Sequence, residues 1–175
     1  MNKQDVVAVV LGGPSSEAEV SRRTGGAIAE ALREKGYNAV EVELVPEKLV
    51  EQLREIDAKV VFNAVHGMYG EDGRLQSILE AIKMPYTGSG VLASAVAMDK
   101  VATKRFLISA NISTPKCLMY NKRFDNDMAK IEKEIIATFG VPVVIKAADQ
   151  GSSIGVEIVK AEADVAAALE NTFKY

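Results

Sequence analysis

Six apolar residues in succession, Val6-Val-Ala-Val-Val-Leu11, run directly into Gly12-Gly-Pro-Ser-Ser16. A strand with one face in water alternates apolar and polar side chains. An unbroken apolar run suits a strand covered on both faces. Helical crossovers provide that cover, and they impose parallel strands. The next segments keep the rhythm. A helix is expected to about Lys35, with Ile28, Ala31 and Leu32 inward and Gly36 as its stop. Ala39–Leu44 alternates like a more exposed strand, and Pro46–Ile56 carries Leu49, Val50 and Leu53 at helical spacing. Lys59–Val65 reads as a third strand, 66–73 as a loop and Arg74–Lys83 as a third helix. Strands separated by helices are βαβ units, so the expected fold class is α/β with a parallel sheet and right-handed crossovers.

The pattern changes near Thr87-Gly-Ser-Gly90. A helix over Asp99–Ala110, a strand near Lys116–Tyr120 and a helix over Asp127–Phe139 are expected next. A strand over Val141–Lys146, a strand over Val156–Val159 and a helix from Glu162 complete the reading. A boundary near residues 88–98 divides the chain into domains 1–95 and 96–175.

Composition narrows the function. A net charge of −3 with both signs interspersed leaves no footprint for nucleic acid or an anionic membrane. The absence of Trp argues against a base-stacking surface. The single cysteine, Cys117, excludes an intramolecular disulfide, suits a reducing cytosol and reads as a small core residue. The N-terminus lacks the pattern of a signal peptide, and no apolar run approaches a membrane span.

The most chemically loaded segment is Lys146-Ala-Ala-Asp-Gln-Gly-Ser-Ser-Ile-Gly155. A lysine leaving an apolar strand into a Gly-Ser-Ser turn gathers a cation, backbone N–H groups and two hydroxyls, which a phosphate chain requires. Lys100 follows Asp99, a good helix N-cap, and a cation in a first turn opposes the helix dipole. Gly12–Glu19 sits at the carboxyl end of the first strand, where open α/β sheets bind ligands. It matches neither GxGxxG nor a P-loop. There Ser16 and Glu19 have capping-box spacing, and Glu17 suits either the helix dipole or a ligand ammonium. His66, the only histidine, ends the third strand beside the Gly-rich, acidic stretch 67–73. It reads as a loop anchor or a ligand contact. Lys3, Arg22, Arg23, Arg33 and Glu132-Lys133-Glu134 read as solvated faces.

Five segments share one family pattern: Leu11–Ser21, His66–Gly73, Pro85–Gly90, Met98–Lys100 and Lys146–Gly155. In these the chain resembles the N-terminal half of the D-alanine–D-alanine ligases, ATP-grasp enzymes of peptidoglycan precursor synthesis. The resemblance implies a Rossmann-like N-terminal substrate domain followed by the first α+β subdomain of an ATP-grasp fold. It implies ATP-dependent ligation of two D-alanines in the cytoplasm by way of an acyl phosphate. Glu17 would stand near the ammonium of the first D-alanine and Ser152 would be its hydrogen-bonding partner, both in catalytic roles. His66 would sit by that substrate's carboxylate. Lys100, Lys146, Gly151, Ser152 and Ser153 would contact or cover the ATP phosphates.

The resemblance further implies magnesium or manganese, whose ligands the family carries in its later half, so no metal ligand is expected here. It also implies a homodimer through the first domain, without nucleic acid or membrane partners. The family commonly has proline after the strand-end lysine. Ala147 stands there, which is expected to loosen that end of the loop. A full ligase is about twice as long, so residues 1–175 alone are expected to be catalytically silent. The alternatives are a non-catalytic α/β binding or assembly module, or part of a D-alanine–D-lactate or D-alanine–D-serine ligase.

Overall fold

The apolar run becomes the middle strand of a parallel sheet. The computed structural model describes residues 2–175, which form two compact units, one through Met98 and one over Asp99–Tyr175. In the first, β1 (Val6–Leu11) lies between β2 (Asn38–Glu43) and β3 (Ala58–Asn63). The β1–β2 register runs without interruption from Val6↔Asn38 to Leu11↔Glu43. The β1–β3 register slips once, between Val6 and Val7, and ends at Val10↔Asn63. Val61 also bridges Tyr86 in parallel, so Pro85–Thr87 extends the sheet beyond β3.

Helices α1 (Ala18–Glu34), α2 (Leu49–Glu55), α3 (Arg74–Ala81) and α4 (Val91–Met98) complete this unit. Alternate residues of β1 enter different clusters, as a doubly covered strand requires. Ala8 and Val10 join Leu49, Leu53, Leu75 and Leu79. Val9 and Leu11 join Ala29, with Ile28 and Leu32 packed against them. α1 ends in a Schellman motif: Tyr37 N–H donates to Leu32 O (3.0 Å), Gly36 N–H to Arg33 O (2.9 Å), and Gly36 takes φ +80°.

Several expectations are corrected. Ala31 is exposed, and the buried stripe of α1 is Ser21, Gly25 and Ala29. The Ser16–Glu19 capping box does not form. Ser15 Oγ accepts the Glu17 N–H (3.1 Å) instead, and Glu19 pairs with Arg22 (3.3 Å). Residues 91–98, to which no element was assigned, are α4, because the glycines of 88–90 mask a run of good helix formers, and the two units divide just past it, between Met98 and Asp99. Lys3 and Arg33 are partnered rather than merely solvated: Lys3 Nζ donates to Lys35 O at the end of α1 and Arg33 Nε to Ala39 O.

The second unit comprises α5 (Lys100–Ser109), α6 (Met128–Phe139), β4 (Val143–Lys146), β5 (Val156–Val159) and α7 (Val165–Thr172). β4 and β5 are antiparallel, with Val144 opposite Ile158 and Lys146 opposite Val156. Val143, Ile145 and Val159 pack on Ile131, Ile135, Val165 and Leu169. Val144 and Ile158 are exposed, so β4 is buried on one face only. The strand expected at Lys116–Tyr120 is absent. Leu118 and Tyr120 pack on the core without a ladder partner, and the Lys104 ammonium holds Thr114 Oγ1 and Pro115 O just before them. Cys117 is half-buried and belongs to none of the apolar clusters. Among the described residues no helix is long and apolar enough to cross a membrane.

Two adjacent glycines in α1 are predicted to respond oppositely to alanine. A Cβ at Gly25 would stand 2.6 Å from Leu11 Cβ, whereas one at Gly26 would meet nothing within 4 Å. Gly25→Ala should destabilise, because overpacking costs about 1–3 kcal/mol against about 0.5–1 kcal/mol of helix propensity gained. Gly26→Ala should stabilise by about 0.5–1 kcal/mol. Urea midpoints of both variants test this; shifts of the same sign would contradict the packing of α1 on β1.

Candidate functional site

β1 and β3 are parallel neighbours, so their carboxyl ends and following loops share one sheet edge. A fully buried hydroxyl joins them. Ser21 Oγ accepts the Gly12 N–H (2.8 Å) and donates to Ala64 O (2.7 Å). Ser15 Oγ adds a second tie by donating to His66 O (2.8 Å). These bonds bring Glu17 against the His66–Gly67 backbone. A Cβ at Gly67 would stand 2.6 Å from Glu17 Oε2, which a turn of the glutamate side chain would relieve, and the φ of +67° is what favours glycine there. His66 Nε2 stands 3.3 Å from Thr24 Oγ1, beside an open cavity of about 380 Å³ bordered by Asn63, Gln76, Thr87 and Ser94. Glu17 and His66 are therefore neighbours, and both are only partly buried.

Glu43 shapes the first loop from the other side. Its carboxylate occupies the space a Gly12 Cβ would need and accepts the Gly13 N–H (3.2 Å). Arg22 binds it with two donors, Nη2 at 2.7 Å and Nε at 3.1 Å. Arg22 thus departs from its expected role as a bare solvated residue. The Arg22 hydrogen bond holds the Glu43 carboxyl below its ordinary range, partly opposed by burial. The acids of the third-strand loop serve the loop itself: Glu71 Oε2 accepts the Gly67 N–H (2.8 Å) and Asp72 Oδ2 the Tyr69 N–H (3.0 Å).

The second unit places the phosphate-type residues together. Asp99 Oδ1 caps α5, accepting from Val101 N–H (2.8 Å) and Ala102 N–H (2.9 Å). Lys100 reaches to the 147–155 loop. Its Nζ donates to Gln150 O (2.7 Å), and its N–H donates to Ala148 O (2.9 Å). Lys146 leaves β4 on the same exposed face as Val144. Burial pushes the Lys100 ammonium below the ordinary lysine range and the Lys146 charge pushes it further, while Asp149 and Asp99 oppose both.

The loop is tied at its base. Ala147 N–H donates to Gly155 O (2.9 Å), a bond that proline has no N–H to make, so alanine here closes the loop rather than loosening it. Gly155 has φ +64° and lies close under Ala147. Ser152 holds φ +52°, an uncommon conformation for a residue with a side chain. The Ser152 and Ser153 side chains are exposed, and Gly151 O accepts the Ile154 N–H (3.2 Å).

Four residues that organise the first unit's site escape sequence reading: Ser21, Glu43, Asn63 and Gln76. Only Ser21, as a small polar residue on the inward stripe of a helix, carries a local signal. The others act across the sheet or through a backbone carbonyl.

Comparisons with known proteins point to one family. Residues 43–89 match a family model described as D-ala D-ala ligase N-terminus, and residues 106–175 one described as D-ala D-ala ligase C-terminus. The D-alanine--D-alanine ligase of Moorella thermoacetica is 45% identical over 170 residues, covering 97% of this chain and 55% of that protein. A crystal structure of D-alanine--D-alanine ligase from Bacillus anthracis superposes with TM-score 0.83 at 34% identity, covering 97% of this chain and 54% of that one. The same enzyme complexed with ATP gives TM-score 0.74 at 33% identity, covering 97% and 55%. The chain spans about half the length of these relatives.

The Glu43–Arg22 clasp makes a pH prediction. A carboxyl lowered in the folded state contributes stability above its unfolded pKa of 4.5, and that contribution is lost as pH falls through the folded value. Wild type should therefore exceed Glu43→Gln in urea midpoint at pH 7, with the gap closing as pH falls below 4.5. A gap that persists undiminished at pH 2 would contradict the clasp.

Proposed function

This chain belongs to the D-alanine–D-alanine ligase family, and on that premise we propose that it contributes to ATP-dependent joining of two D-alanines for peptidoglycan precursors. The observation that carries the reading is the loop after β4, which Lys146 enters from the strand end and which Lys100 grips through Gln150 O (2.7 Å) and Ala148 O (2.9 Å). Lys100 is partly desolvated, is repelled by Lys146 and stands at a turn with two exposed hydroxyls. An anion between the two ammoniums relieves that repulsion, and polyphosphate oxygens match the turn's donors.

In this reading the first unit is the Rossmann-like substrate domain and the second is the N-terminal part of the ATP-grasp domain. Glu17 holds the ammonium of the first D-alanine, and His66 faces its carboxylate. Lys100, Lys146, Gly151, Ser152 and Ser153 hold and cover the phosphates, with Ser152 also serving the reacting end. When bound, ATP supplies the phosphoryl group that makes the carboxylate a competent acyl donor. This chain's residues position the reactants and offset negative charge as it concentrates on the transferring group. Among the described residues no three acidic, histidine or cysteine groups stand together as a metal site. The proposal includes a cytoplasmic homodimer formed through the first unit.

The test is D-alanine-dependent phosphate release from ATP by the full-length protein. Lys146→Ala should lower the rate about a hundredfold, whereas Lys133→Ala, an exposed residue on α6, should leave it near wild type. Equal effects of the two substitutions would remove Lys146 from the site. Phosphate release indifferent to D-alanine would overturn the functional reading.

A further inference from the structure

We infer that Asn63 and Gln76 are positioning residues for amino-acid binding, acting through the backbone carbonyl of Gly70. The inference rests on the proposed role of Glu17 and His66. Two side-chain amides converge on that carbonyl: Asn63 Nδ2 donates at 2.8 Å and Gln76 Nε2 at 2.7 Å. A carbonyl oxygen has two lone pairs, and these bonds use both.

Asn63 has a second hold on the loop. Its Oδ1 accepts the Val65 N–H (3.1 Å), while its own N–H donates to Thr87 Oγ1 (3.1 Å). The end of β3 and the far side of the loop are thus clamped by one side chain. Gly70 is also pressed against the strand end, since a Cβ there would stand 2.1 Å from Val65 O. Residues 65–70 therefore form a closed bight, with His66 and Gly67 inside it. Glu17 lies against Gly67, so displacement of Gly70 shifts His66 relative to Glu17, the two groups proposed to hold the two ends of an amino acid.

The burial of Gln76 supports this role. Gln76 is 3% exposed, yet its Oε1 has no hydrogen-bond partner. An amide buried with its acceptor unmet is a poor choice for packing, and methionine would fill similar volume without an orphaned acceptor. Its evident contribution is the bond from Nε2 to Gly70.

The experiment uses Gln76→Met and Asn63→Asp in the full-length protein. Gln76→Met keeps length and burial but removes the donor. Asn63→Asp keeps an acceptor for Val65 N–H and removes the donor to Gly70. Each should raise KM for D-alanine roughly tenfold with KM for ATP unchanged, because the misplaced groups touch only the amino acid. The Gln76→Met unfolding midpoint should hold or rise. Amide exchange at Gly67 and Tyr69, followed by NMR, should quicken in both variants without any ligand.

Unchanged KM together with unchanged exchange would overturn the inference. So would a drop in stability accompanied by equal losses toward D-alanine and ATP, which marks a purely structural residue. If wild type shows no D-alanine-dependent turnover, the functional reading fails separately. The exchange measurement then decides alone: quickening supports the clamp, and no change refutes it.

Discussion

One buried hydroxyl sets the geometry of the first unit. Ser21 Oγ ties the backbone just past β1 to the backbone just past β3, from a position on α1. Two parallel strands share an edge by topology alone, but their loops need not stay together. With Gly12 N–H and Ala64 O both satisfied by Ser21, the loops begin from fixed points, and Glu17 reaches Gly67. An alanine at that position would orphan a buried donor and a buried acceptor together, each costing about 1–3 kcal/mol. The same helix brings Arg22 to Glu43, which closes the Gly12–Gly13 turn from the opposite side. Consecutive residues of α1 thus shape one loop from its buried and exposed sides.

Electrostatics organise the second unit differently. The loop is pinned by Ala147 N–H at its base and by Lys100 through Gln150 O. Lys100 is therefore both a clasp on the loop and a charge with an unfavourable neighbour in Lys146. Backbone carbonyls solvate an ammonium without neutralising it, and the Asp149 and Asp99 carboxylates offset part of the Lys146 repulsion.

The first half of the fold was legible because its hydrophobic periods are clean. β1 is unbroken, β2 alternates, and Gly36 marks the end of α1 through its positive φ. Ala31 lies two residues past Ala29, about 200° round the helix and so on the side away from the Ser21, Gly25 and Ala29 stripe. α4 was missed because Gly88 and Gly90 signal a turn more strongly than the following residues signal a helix. The Lys116–Tyr120 segment alternates as a strand does, but strand formation also needs a partner, and sequence period says nothing about that.

The candidate site was legible where chemistry is local. Glu17, His66, Lys100, Lys146, Ser152 and Ser153 stand out by residue type at a strand end or turn, and Gly151 only through the family resemblance; the roles given them are proposals. Asn63 and Gln76 do not stand out, because their action depends on a carbonyl several residues away. Glu43 reads as an ordinary exposed position of β2 until Gly12 is seen to lack a side chain in that place.

The central claim is that Lys100 and Lys146 form a pair that takes polyphosphate. NMR titration of the lysine side-chain resonances, with and without ATP, tests it most directly. Lys100 should titrate below the ordinary value of 10.5 in the free protein and move upward when ATP is present, as the bound anion offsets Lys146. A Lys100 that titrates at its ordinary value, or one that ATP leaves unmoved, would contradict the account.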